Sequence, residues 1–114
     1  MEPGRELDAL IAEKVMGWRK TRGGYTNDLT KQWSVPEKQL PLYSTSIKAA
    51  WEVVEKLRGK GYYFDLDGDK DGGARGELIP WIAEFSNVNK KKYSGYAKTA
   101  PHAICLAALE AIKT

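Results

Sequence analysis

Histidine and cysteine are almost missing from this chain: His102 and Cys105 are the only ones among its 114 residues. A single cysteine leaves no partner for an internal disulfide and fits a reducing cytoplasm. A single histidine rules out metal sites built on several imidazoles. Long apolar runs are lacking as well, so no stretch reads as a membrane span, and the opening "MEPGRELDAL" is too charged for a secretory leader. There is no nucleophile elbow, no phosphate-cradling glycine loop and no dinucleotide fingerprint. "GKGYYF" has neither the spacing nor the following helix. A Cys–His nucleophile pair needs a third, orienting group, and none stands near Cys105 in the sequence. These absences predict a protein that is not an enzyme and carries no cofactor.

What is present suits one soluble domain over residues 1–114. Apolar residues make up 42% and charged residues 29%, ordinary proportions for a globular chain. In "GRELDALIAEKVMGW", Leu7, Leu10, Ile11, Val15 and Trp18 recur at helical spacing, with Glu6, Asp8, Glu13 and Lys14 mostly outside the stripe. "STSIKAAWEVVEKLRGKG" reads as a second helix, capped by hydroxyls and closed by Gly59. Its expected apolar face is Ile47, Ala50, Trp51, Val54 and Leu57. "GYYFDL", "ELIPWIAEFS" and "KKKYSGYAK" alternate as strands. "TAPHAICLAALEAIKT" closes the chain as a helix with Thr99 as cap and Pro101 in its first turn. The expected class is α+β: a three-stranded antiparallel sheet with helices packed on it, in the order α-α-β-β-β-α.

Between the first two helices periodicity disappears. From Trp18 to Tyr43 there are five cations (Arg19, Lys20, Arg22, Lys31, Lys38) against two anions (Asp28, Glu37). So long a connection either holds function or is a family-specific insertion. A small hairpin with Tyr25 and Trp33 folded back on the core is one expectation. Another is a cationic, stacking pocket in which Arg19 and Arg22 meet phosphate while Tyr25, Trp33 and Tyr43 offer ring faces. Arg19, Arg22, Tyr25 and Trp33 are the candidate ligand-binding residues.

"YYFDLDGDKDGG" sets Asp65, Asp67, Asp69 and Asp71 on alternate positions. A calcium loop starting at Asp67 has Asp69, Asp71 and Gly72 in place, but position 12 is Leu78 and Glu77 misses by one. Strands flank it where an EF-hand needs helices. Aspartates and glycines equally suit a long hairpin turn. Asp67, Asp69 and Asp71 are therefore a weak calcium candidate inside an acidic turn.

The segments "GRELDALIAEKVMGW", "PLYSTSIKAAWEVVEKL", "WIAEF" and "KTAPHAICLAALEAI" together resemble the phage ABA sandwich domain family. That resemblance implies an alpha/beta/alpha layered fold, a bacteriophage or prophage origin and a bacterial cytoplasmic setting. It brings no catalytic residues. The chain departs from the family pattern between Trp18 and Pro41 and around Asp67 to Gly73. The order of elements, with "KKKYSGYAKTAPHAICLAALEAI" at the end, is also similar to a double-stranded RNA-binding domain. That second resemblance implies phosphate contacts through Lys91, Lys92 and Lys98. Against it, these lysines precede the last helix, and an acidic loop stands where a groove would be met.

The leading expectation is a non-enzymatic phage accessory protein that acts by binding, its partner a nucleotide-type signal made by the host. The alternatives are nucleic-acid binding and protein–protein interaction, with a homo-oligomer or a docked host protein as partner.

Overall fold

The three helices and the three-stranded sheet that the patterning predicts are present in a computed structural model, which describes residues 1–27, 33–68 and 81–113. Helix α1 spans Arg5–Lys14. Strands β1 (Arg19–Thr21) and β2 (Gly24–Thr26) form an antiparallel hairpin. A single 3-10 turn, Glu37–Gln39, leads toward α2 (Ile47–Arg58). Strands β3 (Tyr63–Gly68), β4 (Trp81–Ser86) and β5 (Lys92–Ala97) follow, then α3 (Ala100–Ile112). The class is α+β and the expected order of helices and sheet holds, with the hairpin added between the first two helices.

The sheet is an antiparallel meander in the order β3-β4-β5. Phe64 lies opposite Phe85, and Phe85 opposite Tyr93; Leu66 opposes Ala83, and Ala83 opposes Gly95. Side chains alternate across a strand, so this set shares one face, and Ala83, Phe85, Tyr93 and Ala97 are buried there. Tyr63, Asp65, Asp67, Ile82, Glu84, Lys92, Ser94 and Tyr96 share the other. Asn87 turns the chain from β4 to β5, its Oδ1 accepting from the N–H groups of Asn89 and Lys91.

Helix α3 is the centre of the molecule. It packs on β4 and β5, against α2, and against α1. Its alanines make that possible: Ala103, Ala107, Ala108 and Ala111 are all buried, and Gly95 of β5 comes so close that an added Cβ would strike the backbone of Ala103 and Ala107. Thr99 caps the helix, its hydroxyl accepting from the His102 N–H at 3.4 Å, with Pro101 in the first turn as expected.

Two helix faces differ from the patterning. Asp8 is fully buried, although its charge places it outside the stripe of α1. At 100° per residue, the buried set Leu7, Ile11, Ala12 and Val15 forms an arc centred near Asp8. Counting alanine as apolar reveals this. On α2 the buried residues are Ala50, Val53, Val54 and Leu57, whereas Ile47 and Trp51 stand 51% and 45% exposed. Trp51 sits on the helix shoulder that overlooks β3, where its ring meets Phe64 edge-on at 5.8 Å. The turn after α2 differs too. Gly59 keeps a right-handed conformation, and Gly61, at φ 98, is the glycine that reverses the chain.

Candidate functional site

The β1–β2 hairpin carries Arg19, Arg22 and Tyr25, three of the four ligand-binding candidates. Lys20 opposes Tyr25 and Thr21 opposes Gly24, leaving Arg22 and Gly23 as the turn. A third segment joins it. The Tyr25 N–H donates to the Val35 carbonyl at 2.8 Å, and the Val35 N–H returns a bond to Tyr25 at 2.7 Å. This approach requires glycine at position 24, where φ is 141 and a Cβ would overlap the Val35 carbonyl. Thr21 and Ser34 share a hydroxyl hydrogen bond of 2.6 Å. Ser34 thus lies against the turn end of the hairpin, where it is also the nearest neighbour of Gly23, and Trp33 immediately precedes it.

Within this platform the candidates take different parts. Arg19 and Arg22 are exposed, and Trp33 is 59% exposed. Tyr25 is buried: it ties the hairpin to the core, so it is an anchor and not a stacking face. Tyr43 is buried as well. The Trp18 indole N–H donates to its hydroxyl at 3.2 Å. Burial pushes the Tyr43 phenol up to about 12, an effect that the indole N–H partly offsets.

The remaining candidates are dispersed. Asp67 lies exposed on β3, and the other two members of the calcium candidate, Asp69 and Asp71, lie outside the described residues. Lys91 rests over the Tyr93 ring at 5.7 Å. Lys92 approaches Glu84 at 3.9 Å across the outer face of the sheet, and Lys98 is exposed just before α3. The acids Asp65, Asp67 and Glu84 share the outer face with Lys92, so that face is not a basic surface. Cys105 is buried, donates to the Tyr43 carbonyl at 3.2 Å, and has its thiol pushed up by burial and then by the Asp8 charge. His102 lies at the surface, with Nε2 2.7 Å from the Met1 carbonyl.

One feature escapes sequence reasoning altogether. Between the shoulder of α2 and the start of β3 runs an open groove of about 790 Å³, lined by Trp51, Arg58, Tyr62, Tyr63, Phe64 and Val88. Tyr63 is 69% and Val88 75% exposed. The signal for it would have been the exposure of Trp51, which a helical stripe alone assigns to the core.

The small antiparallel sheet carrying an alanine-rich helix, with a basic hairpin inserted after α1, defines an α+β protein. The phage ABA sandwich domain family matches residues 9–109, and the chain belongs to that family. It is similar to a phage protein from Bacillus cereus ATCC 14579 whose crystal structure is solved at 2.0 Å. The two share 27% identity and a TM-score of 0.75, over 100% of this chain and 90% of the other. No match was found among curated proteins. Among the described residues, no helix is long and apolar enough to cross a membrane.

Proposed function

We propose that this phage-family protein is an accessory factor that acts by binding, without turnover, and that it captures a nucleotide-type signal made by the host. The observation that carries this reading is Trp33, an exposed indole one residue before Ser34, which bonds to a hairpin that also carries Arg19, Lys20 and Arg22. A ring face for a base and guanidinium groups for phosphate, on two segments that meet at the hairpin, are the minimum equipment for such a ligand. The state of Cys105 supports capture over chemistry. Its thiol is sealed from solvent, held protonated and bonded to a backbone carbonyl, none of which suits a nucleophile.

The test is a thermal-shift and calorimetric screen against cyclic and ADP-ribose-type nucleotides, followed by chromatography of the released ligand. Saturable stabilisation, recovery of the ligand unchanged, and loss of both in Arg22→Glu and Trp33→Ala are the expected results. No shift at millimolar ligand overturns the nucleotide reading, and a chemically altered ligand overturns capture. The second reading, binding to another protein, is favoured by the α2–β3 groove with its exposed aromatic and aliphatic side chains.

A further inference from the structure

The β3 strand ends the sheet: its inner side pairs with β4, and among the described residues no strand pairs with its outer edge. A free edge presents a row of backbone donors and acceptors, and folded proteins commonly blunt it with charge or cover it. Two observations make this edge selective. Asp65 and Asp67 stand exposed on its outer face, two residues apart and so pointing the same way. On its inner face Phe64 turns toward the groove, where it meets Trp51.

We propose that the β3 edge and the adjoining groove form a docking site for an extended segment of a partner protein in which basic residues alternate with apolar ones. Added as a fourth strand, such a segment sets every second side chain opposite Asp65 and Asp67. The intervening side chains fall on the groove side, against Phe64 and the Trp51 ring. A second copy of β3 is a poor occupant, because antiparallel self-pairing brings aspartate toward aspartate. The charge pattern therefore disfavours a second β3 as the occupant. The site shares no residue with the β1–β2 hairpin and does not depend on the nucleotide reading.

The test uses the full chain and fluorescence anisotropy with a labelled peptide of alternating lysine and valine. One control alternates glutamate and valine; the other has the lysine and valine residues gathered in two blocks. Saturable binding of the first peptide is expected, at least about tenfold tighter than either control. The double variant Asp65→Lys/Asp67→Lys should lose about tenfold in affinity, and Trp51→Ala several-fold. Hydrogen exchange on the unaltered protein should show the peptide slowing the amides of β3 and leaving those of β5 unchanged. Equal binding of the block peptide, absence of saturation, or protection away from β3 overturns the proposal. So does size-exclusion evidence that the chain dimerises in a manner lost in the double variant, since that assigns the edge to a second copy.

Discussion

Asp8 of α1 and Ser44 of the turn before α2 hold each other through two hydrogen bonds, the Ser44 N–H and hydroxyl both donating to Asp8 Oδ1 at 2.8 and 2.7 Å. The Gly4 N–H in turn donates to the Ser44 hydroxyl at 2.9 Å, which pins the start of the helix to the same point. Oδ2 is buried without a hydrogen-bond partner, and the Arg5 guanidinium stands 3.8 Å away. Removing the acid strands the buried Ser44 N–H and leaves the hydroxyl only the Gly4 carbonyl at 3.3 Å. Removing the hydroxyl keeps the Ser44 N–H bond to Asp8 and frees the Gly4 N–H near the surface. Asp8→Ala should therefore cost about 3 kcal/mol and Ser44→Ala about 1 kcal/mol in urea denaturation. The reverse ranking would show that this pair does not hold α1.

Gly95 and Gly59 should respond oppositely to the same substitution. A Cβ at Gly95 meets the α3 backbone, which cannot yield without moving the whole helix, so Gly95→Ala should lower the melting temperature by about 10 °C or prevent folding. At Gly59 the conformation is already right-handed helical and the nearest backbone oxygens lie at ordinary contact distance. Gly59→Ala should be neutral or stabilise by up to about 1 kcal/mol. Differential scanning calorimetry of the two variants separates these outcomes.

Trp51 should behave as a surface residue despite its size. Leu57→Ala, which opens a cavity beneath α2, should cost about 2–4 kcal/mol. Trp51→Ala should cost about 1 kcal/mol, because much of the ring already faces water. Equal costs in denaturant titration would place Trp51 in the core after all.

Alkaline pH should weaken the fold before acid chemistry is involved. The Tyr43 phenol is raised from its ordinary value of 10 to about 12 in the folded chain. Unfolded chains therefore lose this proton first. The stabilisation is intact below about pH 10 and drains away as pH climbs toward 12. The Cys105 thiol, also raised by burial, adds loss in the same direction from its ordinary value near 9 upward. Melting temperatures measured between pH 8 and 12 should fall in the wild type and fall less in the Tyr43→Phe/Cys105→Ala variant. Parallel curves would remove both groups from the account.

Local rules made the helices and strands readable. Caps at Ser46 and Thr99, the alternation of β3 to β5, and the glycine at position 17 are short-range features, and each sits where the patterning puts it. The hairpin and the inward Tyr25 were foreseeable too, whereas Trp33, expected to fold back on the core with it, stands 59% exposed. What the sequence hides is set by distant neighbours. Asp8 tolerates burial because Ser44, 36 residues on, supplies its donors. Trp51 stays half in solvent because α2 presents Val53 to the core in its place, a rotation that only packing decides. The groove exists between two elements joined by a glycine turn, and neither element announces it alone. Distant neighbours decide the hairpin in the same way: Ser34 is brought to its turn through Thr21, and Tyr25 serves as anchor.

The sealed position of Cys105 gives this molecule a built-in clock. With every other position free of sulfhydryl groups, any labelling by a thiol reagent reports the moment when α3 lifts away from its surroundings. The rate of that reaction, followed by mass spectrometry in native buffer, measures how often the whole molecule breathes open. A ligand at the hairpin or a strand at the β3 edge that tightens the native state would register as a slower tick, with no dye, tag or engineered residue added.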